Sequence, residues 1–338
     1  MFTIREVFPD DLQGLHAVAS HLDTVNLPND RAILEKLIEH SRKSFNGQLD
    51  VFKREYLFVL VDDDKIIGTS MIHAQHGTRR APHIFYDVMT DERYSETLDK
   101  HFMHKILRIG YNYNGPTEIG GLVLHPDYRR KTEALGKWLS YVRFLYIGLH
   151  RASFRDEVLS ELLPPLADDG TSPLWEALGR HFTGMSYQEA DRVSQSNKEF
   201  IRALFPADSI YISLLPYSVQ GLIGQVGPET KGVEKMLRRI GFEYADRIDP
   251  FDGGPHFIAK TDDITLVKTT RSARAVALPA DKDAGPLAGL VSVERDRAPH
   301  FAACGTRFRI EGTDVGLPAA TMKQLGLAAG DSVGVLPF

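Results

Sequence analysis

The residues best placed to do chemistry lie where an apolar run, Glu118 to Leu124, meets the basic loop His125-Pro126-Asp127-Tyr128-Arg129-Arg130-Lys131. Beyond the loop, Leu135, Leu139, Val142, Leu145 and Leu149 recur at helical spacing, so the unit reads as strand, basic loop, helix. A helix starting near Thr132 would aim backbone N–H groups and the cations Arg129, Arg130 and Lys131 at one point. That arrangement suits a pyrophosphate, such as the one in coenzyme A. A basic run at a helix entry is also the ordinary composition of a solvated loop, so charge alone leaves both readings open.

The flanking sequence supplies elements to hold this unit. Phe2 to Val7 reads as a strand, and Asp10 then caps a helix carrying Leu12, Leu15, Val18 and Leu22. Pro28, Asn29 and Asp30 start a second helix with Ile33, Leu34, Leu37 and Ile38 on one face. Tyr56 to Val61 and Lys65 to Ile72, separated by Asp62-Asp63-Asp64, predict a β-hairpin. Pro173 to Phe182 predicts a helix, Ser186 with Glu189 a capping box that starts another, and Ile210 to Leu215 a strand. Glu229 to Ile240 predicts a short helix with Val233, Met236, Leu237 and Ile240 facing inward, closed by Gly241. Phe242 to Ile248 and His256 to Ala259 follow as strands around the turn Asp252-Gly253-Gly254-Pro255.

Composition bounds the rest. With 338 residues, 43% of them hydrophobic and 9% aromatic, the chain can bury a large core, as two domains or one large domain with an appendage. The net charge of -5 is small, and cations are interspersed with acids, so no basic face for nucleic acid is expected. The single cysteine, Cys304, cannot form an intramolecular disulfide, no Cys/His cluster has zinc-site spacing, and a cytoplasmic location is the default. No apolar run approaches the roughly 20 residues that cross a bilayer, so neither secretion nor a membrane partner is expected.

Two further sets of residues carry a resemblance. Val233 to Tyr244 (VEKMLRRIGFEY) has the helix-then-Gly-Phe-Glu form of the acyl-CoA-binding region in the GNAT N-acyltransferases. Ser172 to Phe182 (SPLWEALGRHF), Asn197 to Ile201 (NKEFI), Ile223 to Val226 (IGQV) and Phe251 to Pro255 (FDGGP) then resemble the arginine N-succinyltransferase branch of that superfamily, in order and spacing. The likeness runs from the first strand into the terminal module around Gly330-Asp331.

The resemblance implies an α+β fold, a GNAT-like mixed twisted sheet flanked by helices, with a small C-terminal β module. With the resemblance giving an acyltransferase domain at 1–267, the Ala, Thr, Ser and charge-rich stretch without clear period reads as a linker or irregular extension at 268–285, and the short β-like runs with Gly punctuation as a β-rich module at 286–338. The resemblance implies succinyl transfer from succinyl-CoA to the α-amino group of arginine, with acyl-CoA as co-substrate and no permanently bound cofactor; from the absence of zinc-site spacing, no metal is expected. Glu118 stands where many GNAT enzymes carry a carboxylate base, although a structural Glu closing a strand end has the same signature. Leu122 matches the family position that contacts succinyl-CoA, with Val123 and Leu124 beside it; each could equally be core.

Three departures from the family pattern bear on activity. Gly227 stands where the family has a proton-donating histidine, leaving His73, His76, His125, His181, Tyr211, Tyr217 or water to serve. In the phosphate loop Ala134 and Gly136 take the positions of a Gly-Asn-Gly turn, and Ala restricts positive φ. Ser160-Glu161-Leu162-Leu163-Pro164 replaces an Ala-Glu-Met-Arg-Gly run, removing a guanidinium and leaving Arg79, Arg80, Arg180 and Lys198 as available cations. Two alternatives therefore stand beside succinyl transfer to arginine. One is a related acyltransferase for another amine or acyl group; the other is a weakly active subunit in a homo- or hetero-oligomer with a paralogue.

Overall fold

A computed structural model describes residues 1–20, 27–79, 81–129, 132–194, 197–279 and 285–338. In chain order its strands are β1 (Phe2–Glu6), β2 (Glu55–Asp62), β3 (Lys65–His73), β4 (His83–Ser95), β5 (Lys100–Asn112), β6 (Thr117–Leu124), β7 (Glu157–Glu161), β8 (Ile210–Tyr211), β9 (Glu243–Ile248), β10 (Pro255–Lys260), β11 (Arg271–Ala277), β12 (Leu287–Glu294), β13 (Phe301–Glu311), β14 (Asp314–Leu317) and β15 (Ser332–Pro337). The helices nearest the candidate site are α1 (Leu12–Ala19), α2 (Arg31–Phe45) and α3 (Leu135–Leu149). The chain forms two compact units, one of Met1–Gln75, Thr117–Asp156 and Thr261–Phe338, the other of His76–Pro116 and Glu157–Lys260. No helix among the described residues is long and apolar enough to cross a membrane.

In the first unit the strand order is β12-β15-β11-β14-β13-β1-β2-β3-β6. The predicted hairpin is β2 and β3, with Asp63 at a φ of 51° in its turn. The second helix also forms, because the Asp30 carboxylate accepts from the Ala32 and Ile33 amides and Leu34 and Ile38 face the core. Ile33, placed on that face by spacing, is 37% exposed and lies off it. Helix α1 starts later than expected: the Asp11 carboxylate, not that of Asp10, accepts from the Phe8 amide and chelates the Arg5 guanidinium. Leu22 falls outside the described residues.

Strand β12 pairs with both β13 and β15, so β12, β15, β11, β14 and β13 close into a small barrel. Its interior holds Val291, Val293, Cys304, Phe308, Val315 and Val333, and burial pushes the Cys304 thiol up to about 12. Strand β11 lies inside the segment 268–285 expected to be a linker or extension. Its inward residues are Ala273 and Ala275, alternating with exposed neighbours, a period too weakly hydrophobic to stand out in the sequence. The barrel is not a detached module, because β13 also pairs with β1. Phe301 of β13 packs with Phe58 of β2 and Tyr146 of α3 at ring separations of 5.4 and 5.2 Å.

The second unit has the order β7-β10-β9-β4-β5-β8. Its long β4–β5 hairpin, 13 residues a side, is not signalled in sequence because its outer half carries charged, exposed residues on both faces. The first residues of β4 bury Ile84 and Tyr86 against Trp175, which stacks on Phe251 with ring centroids 5.0 Å apart. The segment 173–182 is helical as expected, with a π-turn at Trp175–Gly179 where an added Cβ on Gly179 would come within 2.4 Å of the indole. Ser186 and Glu189 form the expected capping box. Of Ile210 to Leu215, only Ile210–Tyr211 is strand; Ile212–Leu214 turns into a 3₁₀ helix.

Candidate active site

Glu118 lies at the start of β6 and is 2% exposed. Antiparallel register sets Glu55 of β2 opposite His73 of β3, and His73 opposite Glu118 of β6. Residues directly opposed in this way share a face with side chains in reach of one another. The His73 Nδ1 atom lies 3.5 Å from the Glu55 carboxylate. Burial pushes the Glu55 carboxyl up, but the charge and hydrogen bond of His73, with His40 behind, outweigh it and hold the carboxyl below its usual range. Thr117 locks the strand end, its hydroxyl donating to the Ala74 carbonyl at 2.9 Å and accepting from the Arg155 amide at 2.9 Å. The result is a row of carboxylate, imidazole and carboxylate across three strands, able to accept and hold a proton.

Three residues on, β6 bulges. Thr69 pairs with Val123 and Met71 with Gly120, so β6 carries one residue more than β3 between these pairs. Gly121 takes a φ of 55°, and a Cβ there would come within 2.8 Å of Met71. Of the three apolar residues expected at the acyl-CoA contact, Val123 turns its side chain into the core with Leu57, Val59 and Met71. Leu122 and Leu124 are half-buried. Behind the bulge lies Arg143 of α3, a residue the sequence reading missed. Its guanidinium is fully buried, donates to Ser140 and, at 3.4 Å, to the Gly120 carbonyl, and burial pushes its pKa down to about 9. The sequence signal was present as a lone cation inside the apolar face of a helix, between Val142 and Phe144.

The Arg129 Nε donates to the Leu124 carbonyl at 3.0 Å, which folds that side chain back along the strand end. Arg130 and Lys131 lie outside the described residues. Ala134 precedes α3 in the left-handed region, with φ 56° and ψ 47°, and its carbonyl accepts from the Lys137 amide at 2.8 Å. At Gly136 a Cβ would meet only Leu124, at 3.7 Å, so packing does not require glycine there. The positive φ that the loop needs is thus borne by an alanine, at a cost of about 1–2 kcal/mol. Ala134→Gly is expected to raise stability by up to about 1 kcal/mol in urea unfolding. An unchanged or lower midpoint would show that this turn is unstrained.

In the second unit, Gly227 donates its amide to the Leu163 carbonyl at 2.8 Å, and the Thr230 hydroxyl donates to the same oxygen at 2.9 Å. Among the other proton-donor candidates, His181 and Tyr217 are exposed, and Tyr211 donates to Asp91. His125 caps the turn Pro126–Tyr128. His76 joins His83, Glu161 and His256 in a separate cluster. Of the cations, Arg79 is exposed, Arg80 lies outside the described residues and Arg180 pairs with Glu176 at 2.7 Å. Lys198 acts on Asp249, which burial and the charge of Glu161 push up to about 7. Burial and Asp249 push Asp252 well up in turn. A cavity of about 510 Å³ opens beside the Ile223–Val226 loop, with Lys105, Lys231 and Arg238 on its wall.

Comparison with known proteins draws on the whole chain. Residues 2–266 match the family model described as arginine N-succinyltransferase beta subunit. Arginine N-succinyltransferase of Yersinia pestis is 32% identical over 99% of this chain and 97% of its own length. The arginine N-succinyltransferase subunit beta of Pseudomonas aeruginosa is 34% identical over 99% and 98%. Among solved structures, the arginine/ornithine succinyltransferase subunit AI of Pseudomonas aeruginosa superposes with a TM-score of 0.85 at 26% identity, covering 100% of this chain and 98% of that one.

Proposed function

The chain belongs to the arginine N-succinyltransferase family, and from that premise we propose that it moves the succinyl group of succinyl-CoA onto the α-amino group of arginine, on a GNAT-type fold. The amine nitrogen attacks the thioester carbonyl, the C–S bond breaks, an amide forms and coenzyme A leaves as a thiol. The reaction needs a base for the ammonium proton, and Glu118 with His73 beside it is the observation that carries the reading. Buried as it is, Glu118 accepts the proton away from bulk water, and His73 holds the carboxylate row in one geometry.

The co-substrate follows the strand–loop–helix unit. Backbone groups around Leu122, re-aimed by the bulge at Gly121, pair with the pantetheine amides as an added strand would. The pyrophosphate takes the N-terminal turn of α3 from Ala134 to Gly136, and the cations Arg129, Arg130 and Lys131 precede that turn in the sequence. Arg143 acts as a positioning residue by holding the Gly120 carbonyl from behind.

The test is free-thiol release by the purified chain from succinyl-CoA, with arginine set against other amino acids and acetyl-CoA set against succinyl-CoA. Release that requires arginine and prefers succinyl-CoA supports the proposal. Equal release with another pair replaces it with a different acyltransferase specificity.

One observation favours a second reading. The backbone carbonyls of Leu163 and Pro164 crowd the position of the family's proton-donating histidine, so no side chain at 227 supplies that proton. A weakly active, coenzyme-A-binding subunit that works beside a histidine-bearing paralogue would look the same. Purified chain that binds coenzyme A and releases thiol only when the paralogue is added would establish this second reading.

A further inference from the structure

Sequence spacing gives no metal motif, yet the second unit gathers ligand types from distant parts of the chain. His76 lies on the loop before β4, His83 opens β4, Glu161 ends β7 and His256 stands in β10. The ligand atoms of His76, His83 and Glu161 all fall within 4.8 Å of one another. The His83 Nε2 atom is 3.1 Å from Glu161 Oε1, close to the about 3.3 Å that separates two ligands on a tetrahedral zinc with bonds of about 2.0–2.1 Å. We propose that His76, His83 and Glu161 form a binding site for one divalent transition-metal ion of the zinc class.

The surroundings suit that ion. Two imidazoles with one carboxylate favour zinc over magnesium or calcium, which prefer all-oxygen shells. The loop bearing His76 is pinned: its amide donates to the Pro116 carbonyl at 2.7 Å, and Gly77, at a φ of 83°, sits where a Cβ would reach 2.3 Å from the Asn112 carbonyl. The half-buried His76 ring packs edge-on against His83, with centroids 4.5 Å apart. His256 is a positioning residue, with Nε2 3.4 Å from the same Glu161 oxygen and its ring stacked on His83 at 5.2 Å. The buried acids Asp249 and Asp252 feel the charge of Glu161, and a dication relieves that repulsion.

The experiment uses untagged full chain stripped by a chelator, titrated calorimetrically with Zn²⁺ and in parallel with Co²⁺ followed by visible absorption. The expected result is one equivalent of each metal, with the strong visible bands of low-coordinate cobalt. His76→Ala and Glu161→Gln should each weaken Zn²⁺ binding by more than the roughly 10–100-fold that loss of an outer partner costs. His181→Ala, at an exposed histidine, should leave it unchanged. His76 is on a loop, so its substitution spares the fold, and a thermal melt of each variant confirms that. Substoichiometric uptake, or uptake that survives both ligand substitutions, overturns the site. None of these readings depends on acyl transfer.

Discussion

Glu118→Gln lowers kcat for thiol release by about 10²–10⁴-fold while leaving the KM for succinyl-CoA within a few-fold of the parent value. The side chains are nearly isosteric, so the 2%-exposed site is not emptied, and only the capacity to take up a proton is lost. A structural Glu closing a strand would give the opposite result, with a lower melting temperature and turnover intact. Steady-state kinetics and a thermal melt on one preparation separate the two. Activity within threefold of the parent would remove Glu118 from the mechanism and send the search for a base elsewhere.

Gly227→His, the substitution that returns the family residue, is expected to destabilise the chain and restore nothing. A Cβ at 227 would stand 2.6 Å from the Pro164 carbonyl oxygen and 2.9 Å from that of Leu163, and neither backbone atom can turn away as a side chain could. Overpacking of this kind costs about 1–3 kcal/mol, a fall in melting temperature of roughly 1–4 °C for a chain of this length. Pro164 and Gly227 are therefore one change in two places: the resemblance expects glycine at the first and histidine at the second, and here the glycine has moved. Pro164→Gly combined with Gly227→His should recover most of the lost stability by letting the loop relax. A single Gly227→His variant as stable as the parent would show that the loop opens freely.

Much of this architecture could be read in advance where short-range chemistry dominates. The Asp30 cap, the Asp63 turn, the Ser186–Glu189 box and the apolar spacing of α3 each act within a few residues, and each appears in the structure. What escaped depends on long-range pairing. Strand β7 is too short to announce itself, the β4–β5 hairpin hides its period beneath surface charge, and β11 is built on alanines. At the site, Glu118 and His73 were both legible as single candidates. Only the register of β3 against β6 sets them side by side, and that of β2 against β3 adds Glu55 to the row. The loop was legible as a basic turn, but not the return of Arg129 to the Leu124 carbonyl.

The sealed barrel has a practical corollary. Cys304 is the chain's lone sulfhydryl, enclosed with a strongly suppressed thiolate fraction, so an aromatic disulfide reagent added to native enzyme meets no fast-reacting partner. Colour that develops after both substrates are mixed therefore belongs to the liberated carrier. Colour that develops beforehand is a clock for how often the five staves part.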